Sequence, residues 1–377
     1  MKALVLSGGG ARGAYQAGVL NATSEIASRL GLKRPFDIYT GASAGAINAS
    51  FLASQADNFL QATENLANLW GTLTPDQVFR SDPLSLGKIG VKWVRDLPLG
   101  GLTGFSPGPS LLDTAPLREL LQNNLDFAKI NSHIQSGVLK ALAVTAVDYH
   151  SSMAATFIQG DENLKMWIRS RRFSERAVIH TEHIMASAAI PLLFPPIEID
   201  QRHYGDGCLR NQAPLSPAIH LGAKKILVVG VRRHTDINAP KKMPPPHPPS
   251  LARVINTLLN AVLLDGIELD VDRLKKINEF MSKIPDKLHD NLNFRKVDFV
   301  WIHPSIDIGQ LAYDHAHKLP RFIRYLLRGL GPSEDSKEMI SYLLFDPVFC
   351  QKLMDAGYSD AMAKKEEIEK LLTEDSE

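Results

Sequence analysis

The stretch VLSGGGARGAY, residues 5–15, joins an apolar run to three glycines, a basic residue and a fourth glycine. Residues 3–6 are predicted to form a short buried strand, and apolar residues at helical spacing predict a helix over residues 13–30. Glycines between a strand and a helix permit a tight turn and a close approach of the backbone to another group. The stretch therefore predicts a strand–turn–helix unit, and the backbone amides of such a turn are suited to an anion.

Two phosphate-binding loops have glycines in a similar place. The first, third and fourth glycines of the stretch match G-x-G-x-x-G, but a dinucleotide-binding domain also needs an acidic residue about 20 positions further on. Lys33 and Arg34 occupy that region. A P-loop needs Gly-Lys-Ser/Thr, which the segment Arg12-Gly13-Ala14 does not supply. A turn without a ligand, or amides that face an anion other than phosphate, remain as interpretations.

The remainder of the chain alternates between strands and helices. This alternation predicts an α/β protein with a mostly parallel central sheet covered by helices on both faces. Small apolar residues at 43–53 predict a helix buried on most sides, directly after a second strand. The second predicted strand covers residues 36–39, and further strands are predicted at 138–147, 226–231 and 297–302.

Four segments interrupt or follow this alternation of strands and helices. Residues 81–116 are rich in glycine and proline and predict an irregular cap-like insertion, and residues 240–249 predict an exposed polyproline-like loop. Residues 251–274 predict one amphipathic helix, and the chain from residue 361 predicts a charged, solvated helix. We therefore expect an α/β domain at 1–235 and a C-terminal extension at 236–377 that packs on it, with a separate regulatory C-terminal module as the alternative.

Composition excludes several classes of function. The 377 residues carry a net charge of +1, which gives no sign of the basic surface of a nucleic-acid-binding protein. The two cysteines, Cys208 and Cys350, lie far apart in sequence, so neither a zinc site nor a disulfide framework is expected.

The location of the protein is predicted from two absences in the sequence. The apolar stretch at the N-terminus is too short for the core of a signal peptide, and no run of ~18 apolar residues predicts a transmembrane helix. The expectation is a cytoplasmic protein that contacts membranes peripherally, with export by a route without a cleaved signal left open. No sequence feature indicates an oligomeric state.

The segment Gly41-Ala42-Ser43-Ala44-Gly45 has the pattern G-x-S-x-G between a predicted strand and a predicted helix. This is the context of a nucleophile elbow, in which a sharp turn exposes the serine hydroxyl and small flanking residues let neighbouring elements approach. A serine nucleophile also needs donors for the oxyanion of the tetrahedral intermediate. The backbone amides of Gly9 and Gly10, with Arg12 nearby, are candidates for that role.

The serine needs a general base, and the usual late histidine is not singled out by any motif. His180, His183 and His203 lie nearest to the remaining motifs, but each is better explained as a packing or surface residue. Asp206, between two glycines in Tyr204-Gly205-Asp206-Gly207-Cys208, is the stronger candidate.

Four stretches together resemble the patatin-like phospholipases, over roughly residues 1–235. That family carries a G-G-G-x-R/K-G loop, a G-x-S-x-G elbow, an A-S-x-A-x-P-x-x-F-x-P block and a D-G-G/A motif. This chain carries GGGARG at 8–13, GASAG at 41–45, ASAAIPLLFPP at 186–196 and DGC at 206–208. Cys208 departs from the family pattern, in which glycine or alanine stands at that position.

The resemblance implies a three-layer α/β/α fold and a Ser–Asp dyad of Ser43 and Asp206, without histidine, metal or organic cofactor. It also implies an oxyanion hole from the loop of Gly8, Gly9, Gly10, Arg12 and Gly13. The expected activity is hydrolysis of phospholipid or lysophospholipid esters at a membrane or micelle surface. A thioesterase or acyltransferase acting on other acyl groups, and an inactive lipid-binding protein, remain as alternatives.

Overall fold

The computed structural model describes residues 1–80, 110–234, 248–263, 265–285 and 294–373. The cap-like insertion predicted at 81–116 lies outside the described residues except for its last seven positions. Most of the polyproline-like loop predicted at 240–249 also lies outside them.

The strands of the described residues form one sheet of ten strands. In chain order they are β1 Lys2–Leu6, β2 Ile38–Ala42, β3 Ala141–Asp148, β4 Met153–Gly160, β5 Ile168–Arg169, β6 Arg172–Arg176, β7 Ile197–Ile199, β8 Arg202–Asp206, β9 Lys225–Val229 and β10 Asp298–Ile302. Their order across the sheet is β10-β9-β1-β2-β3-β4-β6-β5, with β8 paired to both β3 and β7.

The centre of the sheet is parallel. Strand β1 pairs in parallel with β2 and β9, and its last residue, Leu6, is in register with Gly41 and with Val229. The order of strands runs outward in both directions from β1, and ligands of open α/β sheets bind beyond the carboxyl ends of the strands at such a switch point. The glycine-rich stretch begins at this edge.

The longer helices of the N-terminal half are α1 Gly13–Arg29, α2 Ala44–Ser54, α3 Phe59–Thr72, α4 Ala115–Asn124, α5 Phe127–Gln135 and α6 Thr181–Ser187. The later helices are α7 Ser216–His220, α8 Leu251–Leu263, α9 Asp265–Ser282, α10 Ile308–Asp314, α11 Arg321–Leu330, α12 Lys337–Leu343, α13 Pro347–Ala363 and α14 Lys365–Thr373. Within the described ranges, no helix has both the length and the apolar character needed to cross a membrane.

The helices cover both faces of the sheet, which confirms the predicted three-layer α/β/α fold. Leu4 and Leu6 of β1 pack into one apolar cluster with residues of α1, α2, α3 and α13. Ala3 and Val5 point to the other face and pack with residues of α7 and α9. This alternation along one strand is typical of a sheet that is buried on both sides.

Three predicted boundaries were wrong. The second strand runs two to three residues later than predicted, over Ile38–Ala42, so the G-x-S-x-G segment begins inside it. The single helix predicted at 251–274 is two helices, α8 and α9. The charged helix from residue 361 is the end of α13 followed by α14, and α14 buries Ile368, Leu371 and Leu372, so only one of its faces is solvated.

Helices α1 and α13 pack closely because glycines stand at their contact. A Cβ atom on Gly18 would lie 1.9 Å from the carbonyl oxygen of Met354, and one on Gly357 would lie 2.2 Å from that of Tyr15. Side chains at these positions would separate the helices. Glycine in the two helices is therefore explained by packing, although it lowers intrinsic helix stability.

Gly18→Ala is expected to lower the free energy of unfolding by about 1–3 kcal/mol, since the added methyl group overpacks a rigid backbone contact. Thermal or denaturant unfolding measures the change. The matched control is Gly329→Ala in α11, where no atom lies within 4 Å of the added Cβ. This control is expected to be neutral or to stabilise by up to about 1 kcal/mol. Equal effects of both substitutions would contradict the packing argument.

Candidate active site

Ser43 stands at the sharp turn between β2 and α2. Its backbone has φ 54° and ψ −128°, a left-handed conformation that is strained for a residue with a side chain. Non-glycine residues in such conformations cost on the order of 1–3 kcal/mol and are concentrated at functional sites. The serine is 3% exposed. The turn therefore holds the Ser43 hydroxyl in one direction at the carboxyl edge of the sheet.

Two glycines of the elbow make this turn possible. A Cβ atom on Gly41 would lie 2.2 Å from the carbonyl oxygen of Gly45, and one on Gly45 would lie 2.2 Å from that of Leu6. Both positions need glycine because backbone segments touch there. The contact with Leu6 brings the start of α2 against the end of β1, and thus against the glycine-rich loop.

Asp206 ends strand β8 and faces Ser43. Its Oδ2 accepts a hydrogen bond of 2.6 Å from Ser43 Oγ, and its Oδ1 accepts one of 2.9 Å from the backbone N–H of Cys208. The backbone N–H of Asp206 donates to the carbonyl oxygen of Ala189. The structure thus brings the two predicted catalytic side chains into direct contact, although they are 163 positions apart in sequence.

The environment of Asp206 changes its acidity. The residue is 1% exposed, and burial raises the pKa of its carboxyl from 3.8 to about 6. Hydrogen bonds from Ser43 and Cys208 lower the pKa, but the loss of hydration outweighs them. A carboxylate with a pKa near neutrality can both accept and return a proton at neutral pH.

Cys208 fills the position where the family pattern has glycine or alanine. A Cβ atom on Gly8 would lie 2.3 Å from Cys208 Sγ and 2.7 Å from Ser43 Cβ, so the thiol occupies space that glycine leaves free. The thiol hydrogen-bonds to the carboxylate of Asp206, and the backbone N–H of Gly8 donates to its sulfur. Burial first, and the charge of Asp206 second, raise the pKa of the Cys208 thiol, which therefore stays protonated.

The glycine-rich loop turns through a short 3-10 helix, Gly10–Arg12, into α1. Gly10 has φ 57°, and a Cβ atom there would lie 2.4 Å from the carbonyl oxygen of Tyr342. Among the described residues, no acceptor is found for the amide N–H groups of Gly9 and Gly10. Both amides are therefore candidates to donate a hydrogen bond to an oxyanion.

Arg12 lies in the loop, but its side chain contacts residues of α12 and not Ser43. The guanidinium is 2% exposed, donates to Ser341 Oγ at 2.8 Å, and forms an ion pair with Glu338. It also lies over the ring of Tyr342, 5.0 Å from the centroid. The sequence-based suggestion that Arg12 helps to line the oxyanion hole is therefore corrected: its charge ties the loop to α12.

Ser187 and Asn48 hold the elbow and the loop, and the sequence analysis did not single them out. Ser187, at the end of α6, accepts a hydrogen bond of 2.9 Å from the backbone N–H of Ser43 and donates to the carbonyl oxygen of Thr145. Asn48 donates to the carbonyl oxygen of Gly13 and accepts from the indole N–H of Trp70. The serine in the ASAAIPLLFPP block was the available signal for Ser187.

The three histidines near the motifs do not contact the pair. His183 packs edge-on against Phe157, with ring centroids 4.6 Å apart, and burial lowers the pKa of its imidazole to about 4. His180 accompanies it at the start of α6, and His203 is an exposed residue of β8. In the described ranges, no histidine is hydrogen-bonded to Ser43 or Asp206, and no group of three or more His, Cys, Asp or Glu side chains is arranged to hold a metal ion.

An apolar cavity opens at Ser43. Aromatic and aliphatic side chains from both halves of the chain line it, and Trp70 stacks on Phe345 across 6.4 Å between ring centroids. The lining residues are Gly10, Ser43, Ala44, Ile47, Leu69, Trp70, Leu73, Val78, Leu117, Leu120, Ala188, Ile190, Phe194 and Phe345. A cavity of this composition suits a hydrocarbon chain with its reactive end at the serine.

Comparison with solved structures finds two chains to which this chain is similar. VipD from Legionella pneumophila is similar at 14% identity and a TM-score of 0.35, with 97% of this chain and 66% of that chain covered. The type III effector protein ExoU is similar at 15% identity and a TM-score of 0.39, with 99% of this chain and 53% of that chain covered. The chain therefore spans just under two thirds of the first and about half of the second.

A search of curated protein sequences finds no match. The sequence model of one family, described as Patatin-like phospholipase, matches residues 4–219, which is more than half of the chain. That range contains the glycine-rich loop, the elbow at Ser43, the ASAAIPLLFPP block and Asp206. The chain belongs to the patatin-like phospholipase family.

Proposed function

We propose that the protein is a serine lipid acyl hydrolase that cleaves carboxylic ester bonds of phospholipids or lysophospholipids. The observation that carries this proposal is the hydrogen bond of 2.6 Å between Ser43 Oγ and Asp206 Oδ2, beside an apolar cavity that Ser43 lines. A nucleophile and a base in contact are the minimum apparatus for acyl transfer. The apolar lining of this cavity favours an acyl chain as the group that is transferred.

In the proposed first step, Asp206 accepts the proton of Ser43 as Oγ attacks the carbonyl carbon of the ester. The carbonyl oxygen becomes an oxyanion, and the free amides of Gly9 and Gly10 are placed to donate to it. Collapse of the intermediate breaks the ester bond, and the leaving alcohol takes the proton from Asp206. An acyl group remains on Ser43, with its chain in the cavity.

In the second step, water attacks the acyl-enzyme and Asp206 takes one of its protons. The new oxyanion meets the same two amides, and Ser43 Oγ leaves as the proton returns to it. The fatty acid is released and the pair is restored. A single carboxyl group thus acts as base and then acid in each half, for which a pKa near 6 is well suited.

The substrate is proposed to be reached at a lipid surface. On α8, Leu251, Val254 and Leu258 follow one another at i, i+3 and i+7 and are 58%, 44% and 60% exposed. The neighbouring helix α11 carries three arginines, Arg321, Arg324 and Arg328, on one face, and no ion pair joins them to any described residue. Exposed apolar side chains beside unpaired cations favour contact with an anionic membrane.

Ser43→Ala and Asp206→Asn are each expected to reduce fatty-acid release from phospholipid by at least about 10³-fold, because each removes one member of a two-residue apparatus. The measurement is fatty-acid release from mixed micelles, together with labelling by a fluorophosphonate probe and location of the adduct by mass spectrometry. Wild type is expected to carry one adduct, on Ser43. Hydrolysis of thioesters in preference to oxygen esters would instead favour the thioesterase alternative.

The control for these variants is Ser187→Ala, which leaves both reacting groups in place but removes the acceptor for the Ser43 N–H. A loss smaller than that of Ser43→Ala is expected, because only the orientation of the elbow is disturbed. Full activity in Asp206→Asn would exclude a Ser–Asp dyad. Melting temperatures close to that of wild type show that the variants are folded.

The pH profile should follow Asp206. Because burial raises the pKa of this carboxyl to about 6, the base is protonated and inactive below that pH. We expect kcat/KM to fall about tenfold per pH unit below pH 6 and to be level above it until another group titrates. A profile governed by a group with a pKa near 4 would contradict this assignment. Rates must be compared on a neutral ester, so that ionisation of the substrate does not contribute.

Membrane binding is expected to depend on α11. The double variant Arg321→Glu, Arg328→Glu should weaken binding to anionic vesicles at low salt by roughly 30-fold, since each basic residue at such a surface contributes about 1 kcal/mol. Co-sedimentation with phosphatidylserine-containing vesicles measures the change. The matched control is Lys33→Glu, Arg34→Glu, which changes the same number of exposed charges just ahead of β2. Equal losses would indicate only a response to net charge.

A further inference from the structure

Three side chains of α12 surround the guanidinium of Arg12. Its Nε donates to Ser341 Oγ at 2.8 Å, it forms an ion pair with Glu338, and it lies over the ring of Tyr342. The spacing i, i+3 and i+4 places all three side chains on one face of the helix. Helix α12 lies outside residues 4–219, the part of the chain that the family model matches. A loop of the family motif is thus held by a helix that the family model does not cover.

Arg12 depends on these partners because it is buried. The residue is 2% exposed, and Glu338 is its ion-pair partner in the described part of the chain. Its Nη1 also donates to the carbonyl oxygen of Val231 at 3.4 Å, but that acceptor is neutral and distant. A buried charge that loses its partner is not compensated by water. Removal of the Glu338 charge would therefore leave Arg12 in an unfavourable environment.

The partners of Arg12 are themselves fixed. A Cβ atom on Gly309 of α10 would lie 2.7 Å from Glu338 Oε1, so glycine at this position leaves room for the carboxylate. Ser341 Oγ donates to the carbonyl oxygen of Glu338 at 2.5 Å. This bond uses the hydroxyl proton and leaves the lone pairs of the oxygen for Arg12. The face of α12 is therefore preorganised to receive a guanidinium.

The backbone of Arg12 orients the peptide group between Gly9 and Gly10. The N–H of Arg12 donates to the carbonyl oxygen of Gly9 at 3.2 Å. That carbonyl and the N–H of Gly10 belong to one planar trans peptide, in which they point in opposite directions. A rotation of the Gly9 carbonyl would therefore turn the Gly10 N–H with it. Because Gly10 lines the cavity at Ser43, the direction of this N–H decides whether it can serve an oxyanion there.

We propose that Glu338 is a positioning residue of the glycine-rich loop, which acts through Arg12 to hold the Gly10 N–H towards the oxyanion. The inference rests on the proposed acyl hydrolysis at Ser43, and it adds to that site a residue from outside the family motifs. A donor of this kind stabilises the oxyanion of the transition state more than the carbonyl oxygen of the bound ester. Loss of the Glu338 charge therefore lowers kcat and leaves KM nearly unchanged.

The test is Glu338→Gln, which keeps the shape of the side chain and removes its charge. With a soluble p-nitrophenyl ester, kcat is expected to fall at least about tenfold, less than the effect of removing an oxyanion donor outright, while KM changes by less than about twofold. The matched control is Glu369→Gln in α14. The side chain of Glu369 is 32% exposed, against 28% for Glu338, and it is also ion-paired, with Lys365. This control should retain the kcat of wild type.

A second measurement separates positioning from a general disturbance of the cavity. Ser43 Oγ adds to the carbonyl carbon of an alkyl trifluoromethyl ketone, Asp206 takes the proton, and the carbonyl oxygen becomes an oxyanion. The alcohol with the same chain occupies the cavity without forming this adduct. Glu338→Gln is expected to weaken inhibition by the ketone at least about tenfold and to leave inhibition by the alcohol unchanged. Equal weakening of both would overturn the inference.

Glu338 and Arg12 should also be coupled. Since Glu338 acts through Arg12, Glu338→Gln is expected to reduce kcat little further in an Arg12→Gln background. Losses that multiply would overturn the inference, as would the kcat of wild type in a folded Glu338→Gln protein, while the proposed hydrolysis would stand. If Glu338→Gln does not fold, Ser341→Ala decides the question with the same two inhibitors. A wild type that neither hydrolyses esters nor binds the ketone would contradict the proposed function, on which the inference rests.

Discussion

The close approach of four backbone segments around Ser43 is the constraint on which the site depends. Gly45 lets the start of α2 touch the end of β1, and Gly8 leaves room for Ser43 and Cys208. Gly207 allows a similar close approach next to Asp206, since a Cβ there would lie 2.0 Å from the carbonyl oxygen of Thr145. A larger residue at any of these points would move nucleophile, base or loop by more than a hydrogen bond tolerates. The strained backbone of Ser43 persists because these contacts leave it no alternative.

The sequence is most informative about those parts of the site where the local structure requires one particular type of residue. Gly41, Ser43 and Gly45 follow a strand and precede a helix, so the pattern specified both a position and a conformation. Asp206, between Gly205 and Gly207, was chosen over the histidines, and it lies 2.6 Å from Ser43 Oγ. The strand ends were predicted less well. Gly41 and Ala42 were assigned to the turn, because side-chain pattern does not reveal that parallel pairing continues to the edge of a buried sheet.

Contacts between distant parts of the chain were not predictable from local pattern. Arg12 belongs to a motif at the N-terminus, but its partners are Ser341, Glu338 and the ring of Tyr342 in α12. Phe345 closes the cavity at Ser43 from the same region. Neither α12 nor Phe345 carries a motif, because any apolar side chain of suitable size and any acceptor for a guanidinium would serve. The sequence therefore defined the chemistry of the site but not the C-terminal wall that encloses it.

In the proposed mechanism, burial also explains how a carboxyl group could work as the base without a histidine. In water an aspartate would be too weak a base to take a proton from serine near neutral pH, because its conjugate acid is too strong. Burial of Asp206, which is 1% exposed, removes hydration from its carboxyl and raises the pKa to about 6. This burial lowers the stability of the folded protein at higher pH. Above pH 6 the folded protein holds a buried charge that the unfolded chain would hydrate. The carboxyl therefore favours folding less as the pH rises from about 4 to 6. In the proposed mechanism, the burial that tunes the base therefore also makes the folded protein less stable above pH 6 than at lower pH.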